Sequence, residues 1–570
     1  MKHFLSFLVW VLCLSCTGSS HVEDLVSFAR VDPFLKIYRE SNFFPEFDEP
    51  VEVAAGEHAT FQFVVRSSQS LKELSVRVSP FQNADGDTLH SIRTGFVEYV
   101  KVGRQTPDRA KDAVTPFSQY YPDPIIEKKE WSVKRDIAQP VWVTVAIPHQ
   151  AVAGDYRATF SLKGKVGGKP FMMEKEIGIK VYPVVLEEPS LWVTNWFSTS
   201  PEKMKIMNGG AAVESYSESY WGMIRELAAK MKECYQNVVL ISPLEHIGFT
   251  EKDGTYSFDY THFDKMITIF REAGVLKMLE GGHIAGREGD WGSQFVAYVP
   301  EIKEGKKVLI RYPVDSEKVK RFYAQFMPAL MAHLKENGWD GLYAQHIADE
   351  PIDSNIKSYV SLARYIKTIC PEIKIIEACH THDLENVLDI WVPQLNFYRD
   401  GYDFYCDRQQ KGDEVWFYTC LAPQGDFANR FLEQPVIKTR LIHWLNYRYG
   451  ATGYLHWGLN YWYSDDPYKE TTRMNTESGN TLPGGDGWIV YPDQGKLYGS
   501  IRLAAMRDGI ADYTLLKMLE KKNPDLAKEL CRLNVYHWTL YDTEGGHFRE
   551  IRRRILQELS GNGTDTATPR

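Results

Sequence analysis

The sequence predicts a multidomain protein combining an all-β unit with an α/β unit: an N-terminal β-sandwich, then a (β/α)8 TIM-type barrel, then C-terminal helices. Three observations predict it. Up to about residue 187 the chain runs in short segments of alternating polarity broken by turn residues. Beyond that point apolar, β-rich runs alternate with amphipathic helical runs. That second pattern recurs about eight times, the number of strands that closes a barrel.

The leader comes first in the chain. Lys2 precedes an apolar run from Phe4 to Leu14 that is too short to cross a bilayer, so it reads as a secretory signal. Leu14-Ser15-Cys16 closes the run and resembles a lipobox, which predicts lipidation at Cys16. Residues 1–21 are therefore expected to be a lipoprotein-type signal peptide and tether. The protein is expected to be exported, to the bacterial periplasm or outer membrane, and to meet the membrane only through this lipid anchor.

Residues 22–187 form the expected sandwich. Its strands are marked by period-2 runs such as Ala59 to Val65, Gly95 to Val100 and Val141 to Ile147, with side chains pointing alternately to opposite faces. Residues 188–535 hold the expected barrel with its C-terminal helices, the strands falling at Leu191 to Phe197, Asn237 to Ser242, Lys277 to Gly282, Gly341 to Glu350, Ile373 to Ala378, Val387 to Leu395, Glu414 to Cys420 and Ala451 to Leu459. Amphipathic stretches such as Ser215 to Cys234 and Glu317 to Asn337 supply the helices between them. Residues 536–570 are expected to hold a final helix and a disordered tail beginning at Gly561.

Composition removes several classes of function. A formal net charge of −9 leaves no basic surface suited to nucleic acid. No glycine-rich nucleotide fingerprint follows the first barrel strand, and of the six cysteines beyond Cys16 none forms a CxxC pair or takes zinc-finger spacing. No metal and no cofactor is expected. The 15 Trp, 32 Tyr and 28 Phe residues suit a partner with apolar C–H faces, as sugar rings have, although a large ring-rich core would account for them equally.

Barrel enzymes place their chemistry at the C-terminal ends of the strands. Here those ends offer Trp196, His283, Asp349-Glu350, His380, Asn396 and Tyr398, Tyr418, and Trp457 with Asn460 and Trp462. In Gln345-His346-Ile347-Ala348-Asp349-Glu350-Pro351 two acids end an apolar strand, which suits a carboxyl group kept protonated to protonate a glycosidic oxygen. Strand seven ends Trp416-Phe417-Tyr418-Thr419-Cys420 with no acid, so the second carboxyl of an enzyme-nucleophile mechanism is missing from its usual place. The remaining solution is attack by a 2-acetamido carbonyl of the substrate, with a carboxylate beside the acid orienting the amide. Asp349 beside Glu350 fits that pair. His346, Arg287, Asp290 and Asp466 are further polar residues near the rim, each equally explicable as local structure.

The sandwich, the barrel with Asp349-Glu350-Pro351, and the run Ala451-Thr452-Gly453-Tyr454-Leu455-His456-Trp457-Gly458 followed by Asn460-Tyr461-Trp462 resemble glycoside hydrolase family 123 over roughly residues 25 to 530. The resemblance implies an exo-acting retaining enzyme that releases terminal β-linked N-acetylgalactosamine through an oxazolinium intermediate. It implies Glu350 as general acid/base, Asp349 as stabiliser of the acetamido group, and Tyr398 as the donor to the acetamido oxygen. The expected partner is a glycan, bound also by Trp457, Trp462, Asn396, His283, Trp196, Asn460 and Tyr418. Two alternatives stay open on the residues alone: a non-catalytic surface glycan-binding lipoprotein, and a glycosidase acting on another β-linked sugar.

Overall fold

A computed structural model of the chain describes residues 25–113, 117–474 and 479–561. Cys16, the expected signal segment and residues 562–570 of the expected tail lie outside these. No helix among the described residues is long and apolar enough to cross a membrane.

The N-terminal unit is two antiparallel-rich sheets packed face to face. One runs Val26–Val31, His58–Ser67, Gln139–Ala146, Ile92–Lys101, Tyr120–Ile126 in spatial order; the other runs Val51–Ala55, Lys169–Val185, Gly154–Val166, Leu71–Val78, Trp131–Val133. Their inner faces share one core, in which Phe63 of the first sheet stacks on Phe160 of the second with ring centroids 3.6 Å apart. The long strand Gly154–Val166 shows the alternation that makes this possible, its even-numbered residues Tyr156, Ala158, Phe160 and Leu162 buried.

Eight parallel strands follow: β1 (Trp192–Asn195), β2 (Val238–Leu240), β3 (Met278–Gly281), β4 (Tyr343–Gln345), β5 (Lys374–Cys379), β6 (Ile390–Pro393), β7 (Glu414–Thr419) and β8 (Gly453–His456). Hydrogen-bonded ladders join them in the order β1, β8, β7, β6, β5, β4, β3, β2. Side chains close the remaining seam between β1 and β2. Asn237 accepts from Val193 N (2.9 Å) and donates to Leu191 O (2.9 Å), and Asn195 donates to Gln236 Oε1 (3.0 Å).

The connections depart from an even βα repeat in three places, the first a hairpin, Gly248–Lys252 with Thr255–Asp259, between β2 and β3. After β3 the chain forms a three-stranded antiparallel sheet, Ala285–Arg287, Phe295–Lys303 and Lys306–Pro313, before the helix Glu317–Glu336. Between β5 and β6 it crosses without a helix. Two strand ends also differ from expectation. The fourth strand is short because a 3-10 turn at Asp340–Leu342 precedes it, and the residues after Gln345 bond to side chains and to other segments instead of to a ladder. The sixth stops at Pro393, which cannot donate to a ladder, and the helix Leu395–Asp400 follows.

The C-terminal helices Ile501–Lys522, Pro524–Asn534 and Gly545–Leu559 pack around the helix Val436–Tyr449, and Ser500 caps the first by accepting from Leu503 N (3.1 Å). They also fasten the sandwich to the barrel. Arg502 pairs with Asp123 at 2.7 Å with both side chains at most 1% exposed, and Arg552 bridges Asp512 (2.8 Å) and Glu57. A buried pair of this kind is strongly destabilising to break from one side, so it fixes the relative placement of the two units. A sandwich loop reaches the far side of the barrel as well, Thr106 N donating to Glu433 Oε2 (2.7 Å) beyond β7.

Candidate active site

The site is built on the stretch that leaves β4. His346, Ile347 and Ala348 are fully buried, and their positions are set by Glu377 of β5, one oxygen of which accepts from Ile347 N (2.8 Å), Ala348 N (3.0 Å) and the Tyr359 hydroxyl (3.2 Å). The other oxygen of Glu377 meets His346 Nδ1 (2.9 Å) and His283 Nε2 (3.1 Å). On its far side His346 Nε2 meets Glu280 of β3 (3.2 Å), which also takes the Thr194 hydroxyl (2.7 Å) and Trp196 Nε1 (3.2 Å). Burial alone would lower the pKa of His346, but Glu377 and Glu280 reverse this and push it to about 10, while burial working against the two histidines leaves Glu377 at about 2. A buried imidazolium between two carboxylates thus anchors the backbone that delivers the two acids.

Asp349 and Glu350 emerge from this anchor only partly buried. Glu350 has φ +47° immediately before Pro351, a left-handed conformation uncommon for a side chain of this size and further disfavoured before proline. Arg287 Nη2 holds the Glu350 carbonyl at 2.8 Å and stabilises the turn. Strain retained beside paired acids is typical of functional sites. The Glu350 carboxyl receives the Tyr418 hydroxyl of β7 and lies 3.3 Å from His380 Nε2, itself 2.7 Å from the same hydroxyl.

The two acids are pushed apart. Burial and then the charge of Glu350 raise Asp349 to about 6. Glu350 feels the same burial, but hydrogen bonding and charge from His380, the Tyr418 hydroxyl and Arg287 outweigh it and hold its carboxyl below the usual range. Burial and mutual repulsion thus favour a single proton shared by the pair, with Asp349 the weaker acid of the two. Burial and the Glu350 charge keep the Tyr418 hydroxyl far above its ordinary value, so it remains a donor.

Of the other residues expected here, Trp196 and His283 join the cluster around His346: the indole packs edge-on to His283 (centroids 5.5 Å) and His346 (5.3 Å). Trp457 is partly exposed, its indole N–H on Asp486 (3.1 Å) and its ring beside Tyr461 (5.2 Å). Asn396 is partly exposed and accepts from Gln394 Nε2 (2.5 Å).

Three are turned away. Tyr398 lies on the helix after β6 instead of at a strand end, so its ring points behind the barrel wall, fully buried among Tyr402, Tyr405 and Trp538, with its hydroxyl on Tyr449 O (2.7 Å). Trp462 is fully buried with its N–H on Val490 O (3.0 Å), and Asn460 is consumed by Ser198 N (2.8 Å) and O (2.9 Å). Asp290 and Asp466 organise their own loops through Gly292 N and Tyr468 N (both 3.1 Å).

Glu280 and Glu377 were not singled out in the sequence, yet each is an acid inside an apolar strand, Met278-Leu279-Glu280 and Ile375-Ile376-Glu377, and that is a readable signal. The ligand atoms of His283, His346 and Glu377 lie within 4.8 Å of one another, near enough to share a metal ion. In the structure both imidazoles bond to Glu377.

The family model described as "Glycoside hydrolase 123, catalytic domain" matches residues 208–519, and "Glycoside hydrolase 123 N-terminal domain" matches residues 51–164. The chain belongs to glycoside hydrolase family 123. No curated protein matches it in sequence. Among solved structures, a family 123 glycoside hydrolase from Clostridium perfringens, analysed for the details of glycolipid glycan hydrolysis, superposes with a TM-score of 0.70 at 17% identity, covering 94% of this chain and 97% of that one. A β-glucuronidase from Parabacteroides merdae covers 85% of this chain and 52% of its own at 9% identity, with a TM-score of 0.31. The family 123 structure shares the fold described above, and this protein is a glycoside hydrolase.

Proposed function

We propose that this family 123 enzyme is an exo-acting, retaining hydrolase that releases terminal β-linked N-acetylgalactosamine by substrate-assisted catalysis. The observation that carries the proposal is the consecutive pair Asp349-Glu350 at the barrel mouth, set against the state of the other interior acids. Glu280, Glu377 and Asp486 are each fully buried, the first two held by the partners described above and the third giving one oxygen to Trp457. None is presented to a substrate as a nucleophile about 5 to 5.5 Å from the acid.

In this reading the acetamido N–H of the substrate faces Asp349. A donor there favours the carboxylate form, and a glycosidic oxygen facing Glu350 favours the acid form, so the single proton of the pair moves to Glu350. Glu350 then protonates the leaving oxygen as the acetamido carbonyl attacks the anomeric carbon. Asp349 stabilises the positive charge on the resulting oxazolinium ring. Glu350, now ionised and held by Tyr418 and His380, takes a proton from the incoming water, whose attack from the leaving-group side restores the β configuration. Trp196 and His283 line the sugar's side of the pair. The same proposal places the enzyme outside the cytoplasm, tethered at Cys16; palmitate labelling that survives Cys16→Ser would remove that part.

The test is release of 4-nitrophenol from the β-N-acetylgalactosaminide, β-N-acetylglucosaminide and β-galactoside at pH 5 to 7, with an oxazoline-mimicking thiazoline as inhibitor. Preferential cleavage of the first, blocked by the thiazoline, is expected. Cleavage of the galactoside alone would overturn the substrate-assisted reading.

A further inference from the structure

We propose that Trp291, with His380 and Phe397, forms a binding subsite for a ring-shaped saccharide leaving group, which makes Trp291 a specificity-determining residue. The inference rests on the reading of Glu350 as general acid, because the acid must lie on the leaving-group side of the bond it cleaves. Three rings lead off in sequence from the Glu350 carboxyl. His380 Nε2 is 3.3 Å from the Glu350 carboxyl, and the His380 ring has Phe397 at 4.6 Å and Trp291 at 6.2 Å between centroids.

Trp291 stands out because it is 48% exposed, yet it is firmly held. Its carbonyl accepts from Arg287 Nε (3.0 Å) and Asn355 Nδ2 (3.3 Å). Asp290 ties the turn through Gly292 N (3.1 Å) and the Ser293 hydroxyl (2.8 Å). The Arg287 guanidinium lies 3.8 Å from the centre of the indole, and the same guanidinium holds the Glu350 carbonyl. One arginine thus sets both the catalytic turn and the exposed indole. Held in place beside an acid, with one face on Arg287, the indole can offer its other face to the C–H face of a pyranose.

The experiment compares wild type, Trp291→Ala and Trp291→Phe on two substrates: methyl β-N-acetylgalactosaminide, which has no leaving-group ring, and a disaccharide with N-acetylgalactosamine β-linked to galactose. Thiazoline inhibition reports the sugar side alone. Trp291→Ala should lower kcat/KM on the disaccharide about tenfold, equivalent to about 1.4 kcal/mol, mainly through KM. Trp291→Phe should recover most of it, while the methyl glycoside and the thiazoline change less than about twofold, or about 0.4 kcal/mol. An equal fall on both substrates, weakened thiazoline binding, or an unchanged disaccharide would each overturn the proposal. Failure of the functional reading shows elsewhere, as wild-type hydrolysis indifferent to the acetamido group; the same ringed and ringless leaving groups on the sugar that is cleaved then decide the role of Trp291.

Discussion

Replacing His346 with Gln probes the charge cluster beneath the catalytic pair. The imidazole is fully buried, 2.9 Å from Glu377 and 3.2 Å from Glu280, which are fully buried too. Gln keeps a polar side chain but removes the positive charge, leaving two carboxylates facing an uncharged amide. Removing one member of such a group costs about 3 to 5 kcal/mol.

The sign of the pH dependence follows from the two shifts. A base with a raised pKa contributes stability that is complete below pH 6.5 and lost as pH rises through about 10. Glu377, depressed from 4.5 to about 2, contributes stability present above pH 4.5 and lost as pH falls through about 2. The gap between wild type and His346→Gln should therefore be widest between about pH 4.5 and 6.5 and should narrow toward pH 10. Thermal unfolding followed by circular dichroism at pH 5.5, 7.5 and 9.5 measures it. A gap that stays constant from pH 5.5 to 9.5 would show that His346 is neutral in the native protein and would refute the ion-pair account.

Three further outcomes follow from the site. Glu350→Gln removes the general acid and should lower kcat by about 10²- to 10⁴-fold, least for substrates whose leaving groups need no protonation, such as 2,4-dinitrophenolate; equal losses across a leaving-group series would argue against that role. Asp349→Asn should lose most activity on acetamido sugars yet gain relative stability above pH 6, because Asp349 has its pKa raised from 3.8 to about 6 and its stabilising contribution, complete below pH 3.8, disappears as pH rises through 6. Denaturation at pH 4 and 8 checks this, and a variant less stable than wild type at both values would contradict it. Tyr418→Phe deletes a donor to the Glu350 carboxylate, so the Glu350 pKa should rise and the acid limb of the kcat/KM profile should move to higher pH. An unmoved limb would mean that the hydroxyl contributes little to Glu350.

Much of this architecture was legible because it rests on patterns that survive without a partner. Period-2 alternation located the sandwich strands around Ala59, Gly95 and Val141, and the apolar run closing in Asp349-Glu350 placed the acids just beyond the fourth barrel strand, although its ladder stops at Gln345. The errors have a common cause. The sequence places Tyr398 at a strand end, but the sixth strand stops at Pro393 and, after a single bridge from Gln394 to Tyr418, the chain coils into a helix, which turns the side chain behind the wall. Trp462 and Asn460 lie beyond β8 in a loop whose path is set by Ser198 and Val490, distant in sequence, so no local pattern could show that both are structural. Glu280 and Glu377 went unremarked because an acid in an apolar strand reveals its purpose only when its partners, here His346 and the Ile347 and Ala348 amides, are known. Trp291 belongs to an insertion after β3 that carries no motif, and only its exposure and its distance to His380 give it meaning.

The central claim, that the substrate's own acetamido group is the nucleophile, is tested most directly by a series of 4-nitrophenyl glycosides in which that group is acetyl, monofluoroacetyl, difluoroacetyl and trifluoroacetyl. Fluorine withdraws electrons from the carbonyl oxygen without adding much bulk. The account predicts that kcat/KM falls steeply and progressively along the series in wild type. Near-equal rates across the four substrates would contradict it and would require an enzyme nucleophile in place of the acetamido oxygen.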